Sequence, residues 1–276
     1  YGMPLGRVIT AKKFKSVQQA LSLSSKIVWF FPNLTKKAIE GAQYTNGNTL
    51  IIGPPGQGKS VLVKYIFLWL TFLGQKILYI DPKNETVLFF KRALDKFGHI
   101  PEFKALYQRI NFVSLSSEER YRGMLDPLLF LPREEAIQTA RNVLENFGEV
   151  TTDSHTASDK KTLILDSVNA VMKGKGKKHL TKVIEVIREK DPKLANLISG
   201  HNVGLGKILL GNDYSEPIRF ENQINVLGTQ GLKIPTQAEI DSGRLNNEQI
   251  AGMSIMEVIM KMTTIFSTDK TEDAAI

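Results

Sequence analysis

Residues 53 to 60 read Gly53-Pro54-Pro55-Gly56-Gln57-Gly58-Lys59-Ser60 and fit the nucleotide-phosphate pattern G-x-x-x-x-G-K-[ST] at every fixed position. The pattern constrains the fold because it works in one setting. A strand must lead into it and a helix must open from it, so that backbone N–H groups converge on phosphate oxygens beside the helix's positive end. Both flanks comply. Asn48-Thr49-Leu50-Ile51-Ile52 turns apolar and β-branched as it nears the glycine, as a strand buried on both faces does. Val61 to Leu73 is apolar and free of Gly and Pro, and Gly74 suits the position just past a helix end. A plain glycine-rich surface turn would share the eight letters but not these flanks. On this reading Gly53, Pro54, Pro55, Gly56, Gln57, Gly58, Lys59, Ser60 and Val61 surround the phosphates of ATP. Lys59 reaches the β- and γ-phosphates and Ser60 ligates Mg²⁺.

The next apolar run, Gln75 to Ile80, stops at Asp81-Pro82-Lys83-Asn84-Glu85. It reads as a parallel strand that delivers Asp81 to the carboxyl edge of a sheet, where ligands of open α/β sheets collect. Asp81 and Glu85 are then candidate catalytic carboxylates near the phosphates. Ordinary strand-end turn chemistry, with Pro82 stopping the strand, explains the same residues equally well. Arg109-Ile110-Asn111-Phe112-Val113 reads as a third strand, so strands and helices alternate from 48 to about 115 and predict a parallel sheet. Beyond Pro132 the periodicity becomes helical: Glu134 to Phe147, Asp159 to Met172, Leu180 to Glu189 and Leu194 to Ser199. Strands are expected again at Lys207 to Leu210 and Ile224 to Leu227, followed by a helix from about Gln249 to Phe266.

A phosphate loop followed, one helix and one strand later, by Ile80-Asp81-Pro82-Lys83-Asn84-Glu85 resembles the HerA/FtsK superfamily of hexameric motor ATPases, and within it the large ATPase of conjugative type IV secretion systems. Three further stretches resemble that family in order: Tyr1-Gly2-Met3-Pro4-Leu5-Gly6-Arg7, Met124-Leu125-Asp126-Pro127-Leu128, and Ile224 to Pro235. The second of these has Asp126 where the family has Asn. The resemblance implies an α/β, RecA-like P-loop NTPase with a mainly parallel central sheet and an all-α insertion subdomain. It divides the chain into a lead-in segment 1–47 and a P-loop ATPase domain 48–276, incomplete at its C-terminus, with the insertion at about 132–205. It also implies ATP hydrolysis, a homo-oligomeric hexamer, and secretion-system partner subunits at the cytoplasmic face of the inner membrane. DNA is a possible further partner. A DNA-translocating coupling protein and a nucleotide-binding structural subunit with negligible turnover are the alternatives.

One expected element is missing. Such a motor needs an apolar strand ending in Asp-Glu to hold Mg²⁺ through water and polarise the attacking water. Leu163-Ile164-Leu165-Asp166 has the apolar run, but Ser167 follows, and Leu163, Val168, Val171 and Met172 share a helical face. The chain, which begins at Tyr1 and ends at Ile276, therefore reads as an excerpt of a longer protein. On its own it is expected to bind nucleotide weakly and hydrolyse little.

Composition narrows the remainder. The absence of cysteine excludes disulfides and thiolate metal sites. The four histidines show no ligand spacing and read as surface or loop residues. The longest apolar run, Tyr65 to Leu73, is under half of the roughly 20 residues a membrane helix requires, so no segment is expected to span a bilayer. A formal charge of +8 favours acidic partners. The densest basic run, Lys173-Gly174-Lys175-Gly176-Lys177-Lys178, fits a solvated connector better than a nucleic-acid contact.

Overall fold

The computed structural model describes residues 3–8, 15–22, 26–30, 49–150, 155–268 and 274–275. The chain forms two compact units, Tyr1–Lys76 with Thr271–Ala275, and Ile77–Lys270 with Ile276.

In the first unit, β1 (Met3–Arg7) and β2 (Ile27–Phe30) pair antiparallel, with Met3 opposite Phe30 and Arg7 opposite Ile27. Between them lies α1 (Val17–Ser22). The long helix α2 (Lys59–Phe72) buries Phe67, Leu70 and Thr71, and the Tyr65 hydroxyl donates to Pro4 O at 3.1 Å, tying the helix to β1. Its end follows the sequence expectation: Gly74 takes φ +73°, its N–H bonds to Thr71 O, and Gln75 N–H bonds to Leu70 O. The expected strand before the phosphate loop is not formed over its described part. Residues 49–54 carry no ladder hydrogen bonds, and Leu50 and Ile52 are 82% and 81% exposed. A β-branched run becomes a strand only when a neighbour satisfies its backbone groups, and among the described residues none does. Trp29, in an aromatic run suited to core packing, is likewise about half exposed.

The second unit is built on a parallel sheet in the order β4-β5-β3. Strand β3 (Lys76–Asp81) leads to α3 (Glu85–Phe97) and α4 (Pro101–Gln108), and β4 (Ile110–Ser114) follows. Ile224 of the central strand stands beside both Ile77 and Ile110, and Gly228 beside both Asp81 and Ser114. All five residues of that strand are buried, as expected of a strand flanked on both edges and both faces. Asn225 pins the register: its amide donates to Ile77 O and Asn222 O at 3.4 and 2.7 Å, and its Oδ1 accepts from Asn111 Nδ2 at 3.2 Å.

Between β4 and β5 (Ile224–Gly228) the chain makes a helical insertion of α5 (Pro127–Phe130), α6 (Arg133–Phe147), α7 (His155–Lys173), α8 (Leu180–Lys190) and α9 (Pro192–Ser199). Its core is Ala140, Val143, Leu144, Phe147, Ile164, Val168, Leu180, Val183, Ile187 and Ile198, each with no exposed surface. Burying each of these side chains other than Ala140 contributes about 1.5–3 kcal/mol. The expected strand at Lys207 to Leu210 is not formed: Gly204–Ile208, which takes in its first two residues, is a 3₁₀ turn. Gly206 packs there against His201 O too closely for any side chain, and the N–H groups of Leu209 and Leu210 bond back three residues rather than across a ladder.

After β5 come α10 (Gln237–Ser242) and α11 (Asn247–Thr268). Contrary to the expectation from uninterrupted runs, 247–267 is apolar and long enough to cross a bilayer by length and composition, with mean hydropathy 1.3. Its average stays high despite Glu257 and Lys261. Nearly half of its most apolar stretch is buried, however, and a polar row links it to α6: Glu135 to Lys261 at 3.4 Å, Asn142 to Glu257 at 2.5 Å and Asn146 to Ser254 at 3.3 Å. These links mark a core helix. Two histidines also depart from the surface reading, because His179 caps α8 and His201 stacks on Phe147 at 4.2 Å, both nearly fully buried.

Replacing Asn225 by Ala takes the side-chain donor from two carbonyls and one of two acceptors from Asn111 Nδ2, which keeps Arg219 O. At about 1–3 kcal/mol for an orphaned buried group, we expect a loss of at least 2 kcal/mol in urea unfolding; an unchanged midpoint would contradict the pinning role.

Candidate nucleotide-binding site

The phosphate loop enters α2 through Gly58, which takes φ +78°, ψ 10° at the N-cap, and Gly56 also takes φ +78°. This left-handed backbone costs a residue with a Cβ about 1–2 kcal/mol, which accounts for glycine at both places. Gly58 offers no side chain to cap the helix. The first bond back is from Leu62 N–H to Gly58 O at 2.9 Å, so the N–H groups of Lys59, Ser60 and Val61 have no acceptor among the described residues. Three parallel donors at the positive end of a fourteen-residue helix form an anion cradle. Ser60 and Val61 are exposed at its mouth.

The Lys59 ammonium folds over the loop and donates to Gly53 O and Pro54 O, each at 2.7 Å. Reaching a terminal phosphate means exchanging a carbonyl for a phosphate oxygen, an exchange favoured because a bond between two charged groups is about twice as strong as a neutral one. The donor set also fits Mg²⁺. Among the described residues no three His, Asp or Glu side chains gather to hold a metal; Mg²⁺ at nucleotide sites takes few protein ligands beside phosphate oxygens and water, and the exposed Ser60 hydroxyl is of the type that could be one.

In the second unit, β3 delivers Asp81 to the carboxyl edge of the sheet, where it is 3% exposed. Its Oδ2 accepts from Thr86 N–H at 2.7 Å, and its carbonyl accepts from Thr229 N–H at 3.1 Å. The side chain thus caps α3 in place of Asn84, which sits at the N-cap in left-handed backbone, φ 58°, with no capping bond of its own. Turn chemistry is therefore one role of Asp81. Its Oδ1 makes no hydrogen bond among the described residues, and Glu85 is exposed in the first turn of α3.

Sequence reasoning passed over what surrounds Asp81. Asn84 Oδ1 and Thr86 Oγ1 are both buried without a hydrogen-bond partner. Gly228 at the end of β5 lies so close that a Cβ there would stand 3.0 Å from Asn84 Oδ1 and 3.4 Å from Ser114 Oγ. The available signal was Asn84 itself, since Asn tolerates left-handed backbone better than most residues.

Other candidates settle into structural positions. Asp166 is exposed on α7 rather than at a strand end, as its helical pattern indicated. In the basic run Lys177 pairs with Glu216 at 3.5 Å and Lys178 bonds Gly174 O, as in a connector.

A helix-opening phosphate loop in one unit and, in the other, a parallel sheet that presents an acidic residue at its carboxyl edge are the elements of an α/β P-loop fold. The chain belongs to the AAA-like domain family, whose sequence profile matches residues 26–276. VirB4 of Thermoanaerobacter pseudethanolicus shares the fold with a TM-score of 0.54 at 17% identity, over 88% of this chain and 62% of that one. The uncharacterized protein YddE of Bacillus subtilis (strain 168) is 27% identical over 286 aligned positions. That alignment takes in 98% of this chain and 34% of YddE, so the chain spans about a third of the relative's length.

One substitution probes each unit. Gly58→Ala forces a Cβ into left-handed backbone at the head of the cradle, and should weaken ATP binding at least tenfold in calorimetry while far-UV circular dichroism is retained; equal affinity would show that the turn does not grip phosphate. Thr86→Val removes a buried hydroxyl with no partner, so stability in urea should rise, by up to about 1–3 kcal/mol. A fall would show that the hydroxyl is satisfied in solution.

Proposed function

We propose that this chain is the ATP-binding motor domain of a conjugative or type IV secretion ATPase, which powers pilus or channel assembly and transfer of DNA or protein. The observation that carries the reading is the phosphate loop on α2, with its three unpaired first-turn N–H groups, in a chain of the AAA-like domain family with the VirB4 fold. The first-turn amides hold the β- and γ-phosphates, Lys59 neutralises charge as the γ-phosphoryl group leaves, and Ser60 supplies the protein's ligand to Mg²⁺. Mg²⁺ held there would offset charge developing on the phosphate oxygens. Asp81, through Oδ1, and Glu85, at the start of α3, orient water at the sheet edge. The intact protein works as a hexamer beside other secretion-system subunits at the cytoplasmic face of the inner membrane. A DNA-threading coupling protein is the second reading, favoured by the net charge of +8.

In the intact protein Lys59→Ala should abolish ATP turnover with the fold retained, and an unchanged kcat would contradict the role given to the loop. Residues 1–276 alone should bind nucleotide weakly and turn it over slowly; brisk hydrolysis would refute that. Tight, steeply salt-dependent DNA retention on a filter would favour the coupling-protein reading.

A further inference from the structure

We propose that Asp126 is a proton-operated clamp at the root of the helical insertion, tying together the segment by which the insertion leaves the sheet, the segment by which it returns, and the start of α8. The carboxylate is completely buried. Its Oδ1 accepts from Leu128 N–H at 3.0 Å, where α5 begins. Its Oδ2 accepts from Leu180 N–H at 2.7 Å, at the first residue of α8, and from Gly211 N–H at 2.9 Å on the returning chain. Around this point the outgoing and returning segments are bonded directly, by Gly123 N–H to Lys207 O at 3.0 Å and Leu125 N–H to Ile208 O at 2.8 Å. Thr181 Oγ1 closes the knot on Gly211 O at 2.5 Å. The crossing admits no side chain at Gly211, where a Cβ would lie 2.8 Å from Asp126 Oδ2. Three segments distant in sequence thus share one carboxylate.

Among the described residues no cation pairs with it. The charged neighbours on the elements packed against Asp126 are His179 and Lys182 on the α8 side, Asp213 and Glu216 on the returning loop, and Glu119, Arg122 and Lys207 beside the outgoing turn. Each is engaged elsewhere: Lys182 and His179 with Asp213, Lys177 with Glu216, and Arg122 and Lys207 with Glu119. Among the described residues Asp126 makes no ion pair. Burial therefore pushes its carboxyl up to about 7 against the pull of the three N–H donors.

Opening the clamp admits water, and the hydrated carboxyl returns to its ordinary value of 3.8. Closing then takes up a proton between about pH 4 and 7. The stability this gives the closed clamp is fully present below pH 4 and is lost as pH rises through 7, with the open population growing up to tenfold per pH unit in that window. His179 works in the opposite direction. Burial lowers its pKa, so its charging at low pH favours opening. The sign of the pH dependence therefore separates the two groups. Asn, the residue of the resembling family at this place, cannot titrate.

The test is native-state amide hydrogen exchange in the intact protein from pH 5 to 8, corrected for intrinsic rates, at Leu128, Leu180 and Gly211. We expect opening to rise steeply from pH 5 to 7 and level off above, in these amides but not in β5. Asp126→Asn should abolish the slope. A flat or inverted profile, the same slope in β5, or a slope that survives Asp126→Asn would each overturn the clamp. Should Asp126→Asn fail to fold, carboxyl carbon titration of the natural protein decides: a midpoint near 7 supports the clamp and one near 4 overturns it.

Discussion

The geometry at the head of α2 is where sequence, backbone and chemistry meet. Two glycines in left-handed backbone turn the chain so that a fourteen-residue helix starts without a side-chain cap. An uncapped helix start with free N–H groups is ordinarily unfavourable, and Ser, Thr, Asp or Asn would relieve it. Here Gly58 leaves the donors open, and among the described residues Lys59 Nζ bonds only the loop's own carbonyls. The turn gives up local stability to remain a receptor for a polyanion.

The second unit follows the opposite principle, satisfying its polar groups wherever the architecture depends on them. Asn225 joins three strands through one amide. Asp126 joins three segments through one carboxylate. Asp191 caps α9 through Leu194 N–H, and Thr236 and Glu239 form a reciprocal cap on α10. Among the described residues Thr139 Oγ1, His179 Nε2, His201 Nδ1, Asn84 Oδ1 and Thr86 Oγ1 are buried without a hydrogen-bond partner, and the last two share one turn. These two lie at the carboxyl edge of the sheet, the side on which open α/β folds bind ligands.

Features set by local periodicity and local capping were legible from the sequence. The helices α6, α8 and α9, the Gly74 stop after α2, and strands β3, β4 and β5 fall where apolar spacing and turn residues put them. Features set by a distant neighbour were not. Leu50 to Ile52 has strand composition, yet a strand also needs a partner. Lys207 to Leu210 has the same composition and is bent by the packing of Gly206 on His201 O. His179 and His201 are buried because of what packs over them, which residue type alone does not encode. At the site, the eight-residue loop was readable because phosphate binding by backbone demands glycine at fixed places. Asn84 and Gly228 were not, since their contact joins positions 144 residues apart by count.

The central claim is that the first-turn amides of α2 bind a triphosphate. The most direct test follows the backbone N–H resonances of Gly58, Lys59, Ser60 and Val61 as a non-hydrolysable ATP analogue with Mg²⁺ is titrated in. The account predicts saturable shifts that are largest at these four residues and absent with adenosine. Unmoved resonances at saturating nucleotide, or shifts centred elsewhere in the chain, would contradict it.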